Sequence, residues 1–545
     1  MRRRSRLCVL LAAALGASLG PAVASDVGQP HPSFALGATT SPFEPPKADD
    51  RTFMINSGGG LDTGCTFRSG GPLVIQIPVT RYAGPTNPDG TLQNAAALVA
   101  AGLLSRFANL TLPAYDVDFN TPTMPPDQPE RDRVSFNGTP VDVLFRGNPA
   151  FLQGSNNIWL LNSFQIPIEK VKFPSARGAA GEAPTPEMNE LRIDIDVANA
   201  PQGTELWCTA IDWASLDIKI MSPVILIHGN NSDGGFFARQ GFTAGLTSQR
   251  LLWDNSISMA TASVAAHSAQ LDQLIPPIVK SFGVDSVHLI VHSKGGLDSR
   301  DYLARYQAGH DDTFKVLSLT TLSTPHNGSV LADVAVTREA AAARASYVEF
   351  SGFPGAANAL AYLSGVDAGT PDLQTTTAAA FNAVNVSLLP GFTVYNATAA
   401  DADQNGNARI DNAPDEYAEL RTESASLRRI YAVNENSARG IVDVLYQILR
   451  NTSGVTVTFT RKKILGISYT VATLNSVPTA APLGNDTLVT LPSGLGTGGY
   501  GGRTTNTRTF TGGAGRNHSS IANAGVASTV APWIIAIEAT KGDLK

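Results

Sequence analysis

Between residues 51 and 220 apolar side chains alternate with polar ones: Leu73, Ile75, Ile77 and Val79, then Leu191, Ile193, Ile195 and Val197, then Leu216, Ile218 and Ile220. A period of two puts successive side chains on opposite faces of a half-buried strand. Turn signals such as Asn137-Gly138 separate the runs, so residues 51–220 are expected to form an antiparallel β-sandwich of jelly-roll or immunoglobulin-like type. From Ser222 the pattern changes. Val224 to Ile227, Val287 to Val291 and Lys315 to Leu322 are near-continuous apolar runs, as expected of parallel strands covered on both faces. Between the first two, Leu271, Leu274, Ile275, Ile278, Val279 and Phe282 recur at helical spacing, while Pro276 and Pro277 predict a kink or a break. Strand, helix, strand, helix, strand is the order of an α/β fold with a doubly wound, mostly parallel sheet over residues 221–545. Sites in such sheets lie beyond the carboxyl ends of the strands, where Gly229, Ser293 and His326 fall. The Ala-rich, helix-favouring stretch Leu331 to Pro390 is expected to be a helical cap inserted at about 327–390, either a mobile lid or a fixed wall of the pocket.

The strand ends carry the chemistry. His288-Leu289-Ile290-Val291-His292 stops at Ser293 and passes through Lys294, Gly295 and Gly296 into a helical pattern, which is a nucleophile elbow: a sharp turn holding a serine hydroxyl exposed at its apex. Glycine is usual two residues before such a serine, and here the position is Val291. The plain alternative is an ordinary strand-to-helix loop. Val224 to Ile227 ends in His228-Gly229-Asn230, a loop able to aim a backbone N–H at a carbonyl oxygen gaining negative charge, with the N–H after the nucleophile as second donor. The expected oxyanion-hole donors are therefore the backbone N–H groups of Asn230 and Lys294. A tight turn with no such role is the other reading of His228-Gly229.

Four segments give the chain a resemblance to bacterial secreted lipases and esterases of the α/β-hydrolase fold, over residues of about 220–530. They are the His228-Gly229 loop, His292-Ser293-Lys294-Gly295-Gly296, Ser323-Thr324-Pro325-His326-Asn327-Gly328-Ser329, and Gly484-Asn485-Asp486-Thr487-Leu488-Val489. Phe381-Asn382 also resembles the family's cap region. The resemblance makes Asp486 the triad acid and departs from the family at Thr487, where glycine is usual. In this fold the triad follows the chain order serine, acid, histidine. Of the chain's 8 histidines only His310, His326 and His518 follow Ser293. His310 lies in a polar turn and His326 leaves no room for an intervening acid, so His518, the histidine after Asp486, is the expected general base. Asp401 and Asp403, after the strand-like run Phe392 to Ala397, are rival positions for the acid. Alternatively, Asp401, Asp403, Asn405 and Asp411 resemble the oxygen ligands of an EF-hand-like calcium loop, although its twelfth position is Asn412. A solvated polar loop is the third reading.

Composition places this chemistry outside the cytoplasm. Met1 to Ala24 opens with four arginines, continues in an apolar run from Leu7 to Leu19 and ends in Ala22-Val23-Ala24, the pattern of a secretory signal cleaved before Ser25. Its loss removes four arginines and no acid, taking the net charge from −6 to −10. No later run suits a membrane span, and an acidic chain without phosphate-loop or dinucleotide glycine patterns favours neither nucleic acid nor nucleotide. Residues 25–50, rich in Pro, Ser and Thr, are expected to be a flexible leader. Cleavage leaves Cys65 and Cys208, which in an oxidising compartment invite a disulfide, the alternative being two buried thiols. The expectation is a secreted serine carboxylester hydrolase needing no cofactor for its chemistry, with calcium as a structural option. Lipid esters and polyesters are both admissible substrates, and a catalytically silent binding protein is the reading from another class. The sandwich is expected to brace the hydrolase or to contact a polymer or surface.

Overall fold

The computed structural model describes residues 41–55, 66–67, 70–115, 117, 130–155, 158–179, 181–198, 208–351, 366–385, 393–399, 444–497, 506–510 and 517–540 of the 545-residue chain. The expected signal Met1–Ala24, residues 25–40 of the expected leader, Cys65 and the loop carrying Asp401, Asp403, Asn405 and Asp411 lie outside the described residues.

The alternating segments build two antiparallel sheets. One runs Thr52–Ile55, Ala214–Asp217, Phe107–Tyr115, Cys208–Ile211, Thr66–Phe67, with Trp159–Pro167 also paired to Phe107–Tyr115. The other runs Leu73–Val79, Glu187–Asp194, Arg133–Phe136, Thr139–Pro140. Leu73, Ile75, Ile77, Val79, Leu191 and Ile193 of the second sheet share one apolar core with Leu110, Leu112 and Leu216 of the first. Asn137 and Gly138 join paired residues Phe136 and Thr139 with φ values of 46° and 78°. Two left-handed residues match the twist of a tight hairpin, which is why Asn-Gly marks such turns. The alternation ends sooner than expected: the strand stops at Asp194, and Val197 beyond it is exposed.

Among the described residues six parallel strands form the central sheet, in the order Trp253–Asp254, Val224–Ile227, Ser286–His292, Lys315–Leu322, Thr393–Ala399, Asn506–Phe510. Successive side chains feed two cores. Val224, Leu226 and Ile290 pack with Leu246, Val526 and Val530 on one face. Ile225, Ile227, Leu289 and Val291 pack with Leu271, Ile275 and Tyr302 on the other. Helices on both faces explain the unbroken apolar runs. This is the α/β-hydrolase fold: a doubly wound parallel sheet whose order reverses beside Val224–Ile227, with a serine turn at the end of the neighbouring strand.

Three features depart from or add to expectation. Helix Val264–Phe282 is continuous through Pro276 and Pro277, begun by the Ser263 hydroxyl accepting from the N–H of Ala266 and ended by Gly283 at φ 68°. An internal proline costs about 3 kcal/mol. Burial of Leu271, Ile275, Ile278, Val279 and Phe282 against the sheet contributes roughly 1.5–3 kcal/mol per side chain and outweighs that cost, so the helix does not break. In the expected cap, helices Val330–Ala342 and Thr375–Asn385 are joined by a small sheet: Tyr347–Ser351 runs parallel to Ile467–Pro478, which pairs antiparallel with Thr452–Ile464. Finally, Glu538 accepts from His288 on the elbow strand (2.9 Å) and from Arg51 beside the first antiparallel strand (3.0 Å), tying the N-terminal sheets to the hydrolase through buried charge. No helix among the described residues is long and apolar enough to cross a membrane.

Candidate active site

Ser293 sits at φ 53° directly after the strand Ser286–His292. A side chain in the left-handed region is strained, and the strain persists where surrounding contacts over-determine it. Here the Ser293 N–H donates to the carbonyl of Leu322 (2.9 Å), and its own carbonyl accepts from Gly296 (3.0 Å), closing the elbow into helix Gly295–Arg305. The close approaches fall after the serine rather than before it. A Cβ at Gly295 would strike the His228 carbonyl, and one at Gly296 would strike Thr324. Val291 is therefore free to point into the core, fully buried among Ile227 and Leu289.

The loop after Val224–Ile227 lies against the nucleophile, with Ile227 opposite Val291 in the sheet. A Cβ on Gly229 would come within 2.6 Å of the Ser293 Cβ, so only glycine permits this approach. The His228 ring staples the loop. Its Nε2 accepts from the Met259 N–H (3.0 Å), leaving Nδ1 to donate to the Gly229 carbonyl (2.7 Å). Burial, more than any neighbouring charge, holds His228 below the usual imidazole range, which favours this neutral tautomer. Asn230 Nδ2 donates to Asp367 (2.9 Å), and Asp367 also accepts from Asn231 and from the backbone N–H groups of Gly369 and Thr370. Lys294, fully buried, places its ammonium between Asp298 (2.6 Å) and His267 Nδ1 (2.9 Å), anchoring the residue whose backbone follows the nucleophile.

Residues far apart in sequence converge on Ser293. His518 Nε2 is 2.8 Å from Ser293 Oγ, and His518 Nδ1 is 2.9 Å from Asp486 Oδ2. Ser293 is 9 % exposed, His518 5 % and Asp486 0 %, so the row of groups is closed to solvent at the acid end. Asp486 Oδ1 accepts from Leu488 (3.0 Å) and Val489 (2.6 Å), which fixes the carboxylate independently of the histidine. The His518 N–H donates to the Asp486 carbonyl, and its own carbonyl accepts from His292 Nε2 (2.6 Å). His292 is stacked on Phe236 at 4.4 Å, and burial first, then the neighbouring His518, pushes its pKa well below the usual imidazole range.

Thr487, where glycine was expected from the family pattern, lies at φ 82° with its buried hydroxyl unpartnered. A β-branched residue in the left-handed region costs about 1–2 kcal/mol. Thr487→Gly is therefore expected to raise the melting temperature, by about 1 kcal/mol of stability after the flexibility of glycine in the unfolded chain is counted, with turnover retained. A lower melting temperature in calorimetry would contradict this reading.

His326 bonds to other groups than the serine. Its Nδ1 accepts from Arg300 (3.3 Å) and its Nε2 donates to Thr321 (3.1 Å), and burial first, then Arg300, pushes its pKa well down. Asn382 donates to the His326 carbonyl. His310 pairs with Asp272 at 2.7 Å and is not simply solvated. His267, His292, Asp298 and Asp367 escaped the sequence reading. Only Asp298, four residues after Lys294 on one helix face, left a signal that could have been used. The described residues contain no group of three or more potential metal ligands, and the Asp401–Asp411 loop is not among them. Cys208 is buried, and Cys65 lies outside the described residues.

No family model matches the chain. Triacylglycerol lipase 2 of Saccharomyces cerevisiae is 41 % identical over 71 residues, which is 13 % of this chain and 21 % of that protein. Among solved structures, the mature lipase BlEst2 of Bacillus licheniformis is similar with a TM-score of 0.33 at 17 % identity, covering 58 % of this chain and 92 % of its own. Lipase 1 of Pelosinus fermentans gives a TM-score of 0.30 at 14 % identity, covering 59 % and 99 %. Phospholipase PlaB of Legionella pneumophila gives 0.26 at 15 %, covering 48 % and 52 %.

Proposed function

We infer that the protein is a serine carboxylester hydrolase that cleaves apolar or lipid-like esters through an acyl-enzyme. The observation carrying this is the hydrogen-bonded row Ser293 Oγ, His518 Nε2 and Nδ1, Asp486 Oδ2, at 2.8 and 2.9 Å, on a serine held at positive φ. In the forward step His518 takes the Ser293 proton as Oγ attacks the ester carbonyl, and Asp486 stays ionised, fixing the tautomer and stabilising the imidazolium. The developing oxyanion is assigned to the backbone N–H groups of Asn230 and Lys294, each worth about 3–4 kcal/mol in comparable sites. His518 then protonates the leaving alkoxide. Water, activated by the same imidazole, releases the acid from Ser293.

Lipid-like substrates are favoured by the likeness to a triacylglycerol lipase. The enzyme is further proposed to be secreted, by cleavage after Ala24, and to hold a Cys65–Cys208 disulfide. Non-reducing peptide mapping should recover both cysteines in one linked pair, and two free thiols would refute it. Calcium at Asp401, Asp403, Asn405 and Asp411 is proposed only as a structural option, to be checked by loss of melting temperature on chelation. The functional test is a panel of nitrophenyl esters of rising acyl length with emulsified triglyceride and polyester film. Hydrolysis of nitrophenyl butyrate and of triglyceride, exceeding that of film, is expected. A folded protein that cleaves no ester would instead be a binding protein on a hydrolase scaffold, and preference for film would make it a polyester depolymerase.

A further inference from the structure

The hairpin Thr452–Ile464 and Ile467–Pro478 carries a feature that ester hydrolysis does not use. Its base is part of the cap: Ala472 and Leu474 are buried against Val334, Phe350 and Leu449. Among the described residues the third strand, Tyr347–Ser351, pairs only as far as Val471, and beyond Thr470 the hairpin continues as a two-stranded ribbon about 10 Å long from the strand rise. The tip is apolar. Ile464 is 58 % exposed, Leu465 97 % and Ile467 73 %.

Folding does not account for these residues. Leu465 and Gly466 form a two-residue turn with φ values of 50° and 85°, between paired Ile464 and Ile467. Such a turn favours asparagine, aspartate or glycine at its first position, and a leucine there is strained. It buries nothing in return. The cations beside it, Arg461, Lys462 and Lys463, are all exposed, and no Asp or Glu occurs from Asn451 to Asn485. In a chain of net charge −6 this is a segregated positive segment. Lysines alone on an edge hairpin protect against edge-to-edge pairing. That role accounts for the lysines and leaves the exposed apolar tip unexplained. Behind the cations stand exposed aromatic residues, Tyr347 at 56 % and Phe459 at 39 %, the latter beneath the Arg344 guanidinium. Aliphatic tip and basic collar follow the order of polarity across a lipid surface, from acyl chains to anionic headgroups.

We propose that the hairpin tip Ile464, Leu465 and Ile467, with Arg461, Lys462 and Lys463, is a docking site for an anionic lipid–water interface. Docking is a property of the hairpin and does not depend on the proposed hydrolase chemistry, which it serves by holding the enzyme where apolar esters accumulate.

Flotation of the full chain with ether-linked phosphatidylglycerol–phosphatidylcholine vesicles, which offer no ester to cleave, tests it. The wild type is expected to bind, more weakly as salt rises. Leu465→Asn should lower partition about tenfold while keeping or raising the melting temperature, because asparagine suits the turn. Lys462→Gln combined with Lys463→Gln should lower partition roughly tenfold or more on anionic vesicles and little on neutral ones. Hydrolysis of dissolved nitrophenyl butyrate should be unchanged by Leu465→Asn, and hydrolysis of emulsified triglyceride should fall. Wild-type partition in Leu465→Asn overturns the proposal. So does a wild type that ignores vesicles, whether it adsorbs only to polyester film or forms a dimer that Leu465→Asn dissolves. Vesicle binding without any ester hydrolysis would refute the proposed enzyme and leave the docking site standing.

Discussion

Ser293→Ala is expected to abolish ester hydrolysis while leaving the fold intact. Loss of a triad serine costs about a millionfold in turnover, which puts the variant below detection with nitrophenyl butyrate. Stability should change little. Alanine and serine are equally strained at the φ of 53°, and the backbone bonds of the elbow, to Leu322 and Gly296, do not involve the hydroxyl. Unchanged melting with no turnover is thus the expected pair of results, from circular dichroism and a spectrophotometric assay. Retained activity would show that another residue is the nucleophile.

Asp486→Asn should lower turnover about ten-thousandfold with geometry nearly preserved. Asp486 Oδ1 is engaged by the N–H groups of Leu488 and Val489, so the asparagine oxygen is expected to keep that position. Its amide nitrogen then faces His518 Nδ1 where Oδ2 stood at 2.9 Å. Two donors cannot face each other, so the imidazole must carry its proton on Nε2, and in that tautomer it cannot accept from Ser293. The loss should appear in turnover more than in substrate binding. Asp403→Ala, in the rival acidic loop, should keep most activity at low temperature. The opposite outcome for the two variants would move the acid to that loop.

What could be read in the sequence was local, and what escaped it was contact between distant segments. The elbow was legible because an apolar run, a serine and two glycines are contiguous, and Gly295 and Gly296 are where a Cβ would collide. Alternation revealed Leu73–Val79 because a half-buried strand repeats every two residues. His518 could be found by chain order, Asp486 only through a family pattern that Thr487 breaks. The hairpin 452–478 went unseen although Val455, Val457 and Phe459 alternate, because Leu465-Gly466 lacks the usual turn signature. The continuity of Val264–Phe282 was lost to the two prolines, whose local effect is outweighed by packing on a sheet that the window does not contain. Partners such as His267 and Lys294, or His288 and Glu538, are 27 and 250 residues apart, and no periodicity reports them.

The central claim, that Ser293 is a nucleophile activated by His518, is tested most directly by fluorophosphonate labelling followed by peptide mass analysis. The wild-type chain should acquire one phosphonyl group, on the peptide containing Ser293, and His518→Ala should acquire it far more slowly. Labelling of a different residue, or equal labelling in the absence of the imidazole, would contradict the account.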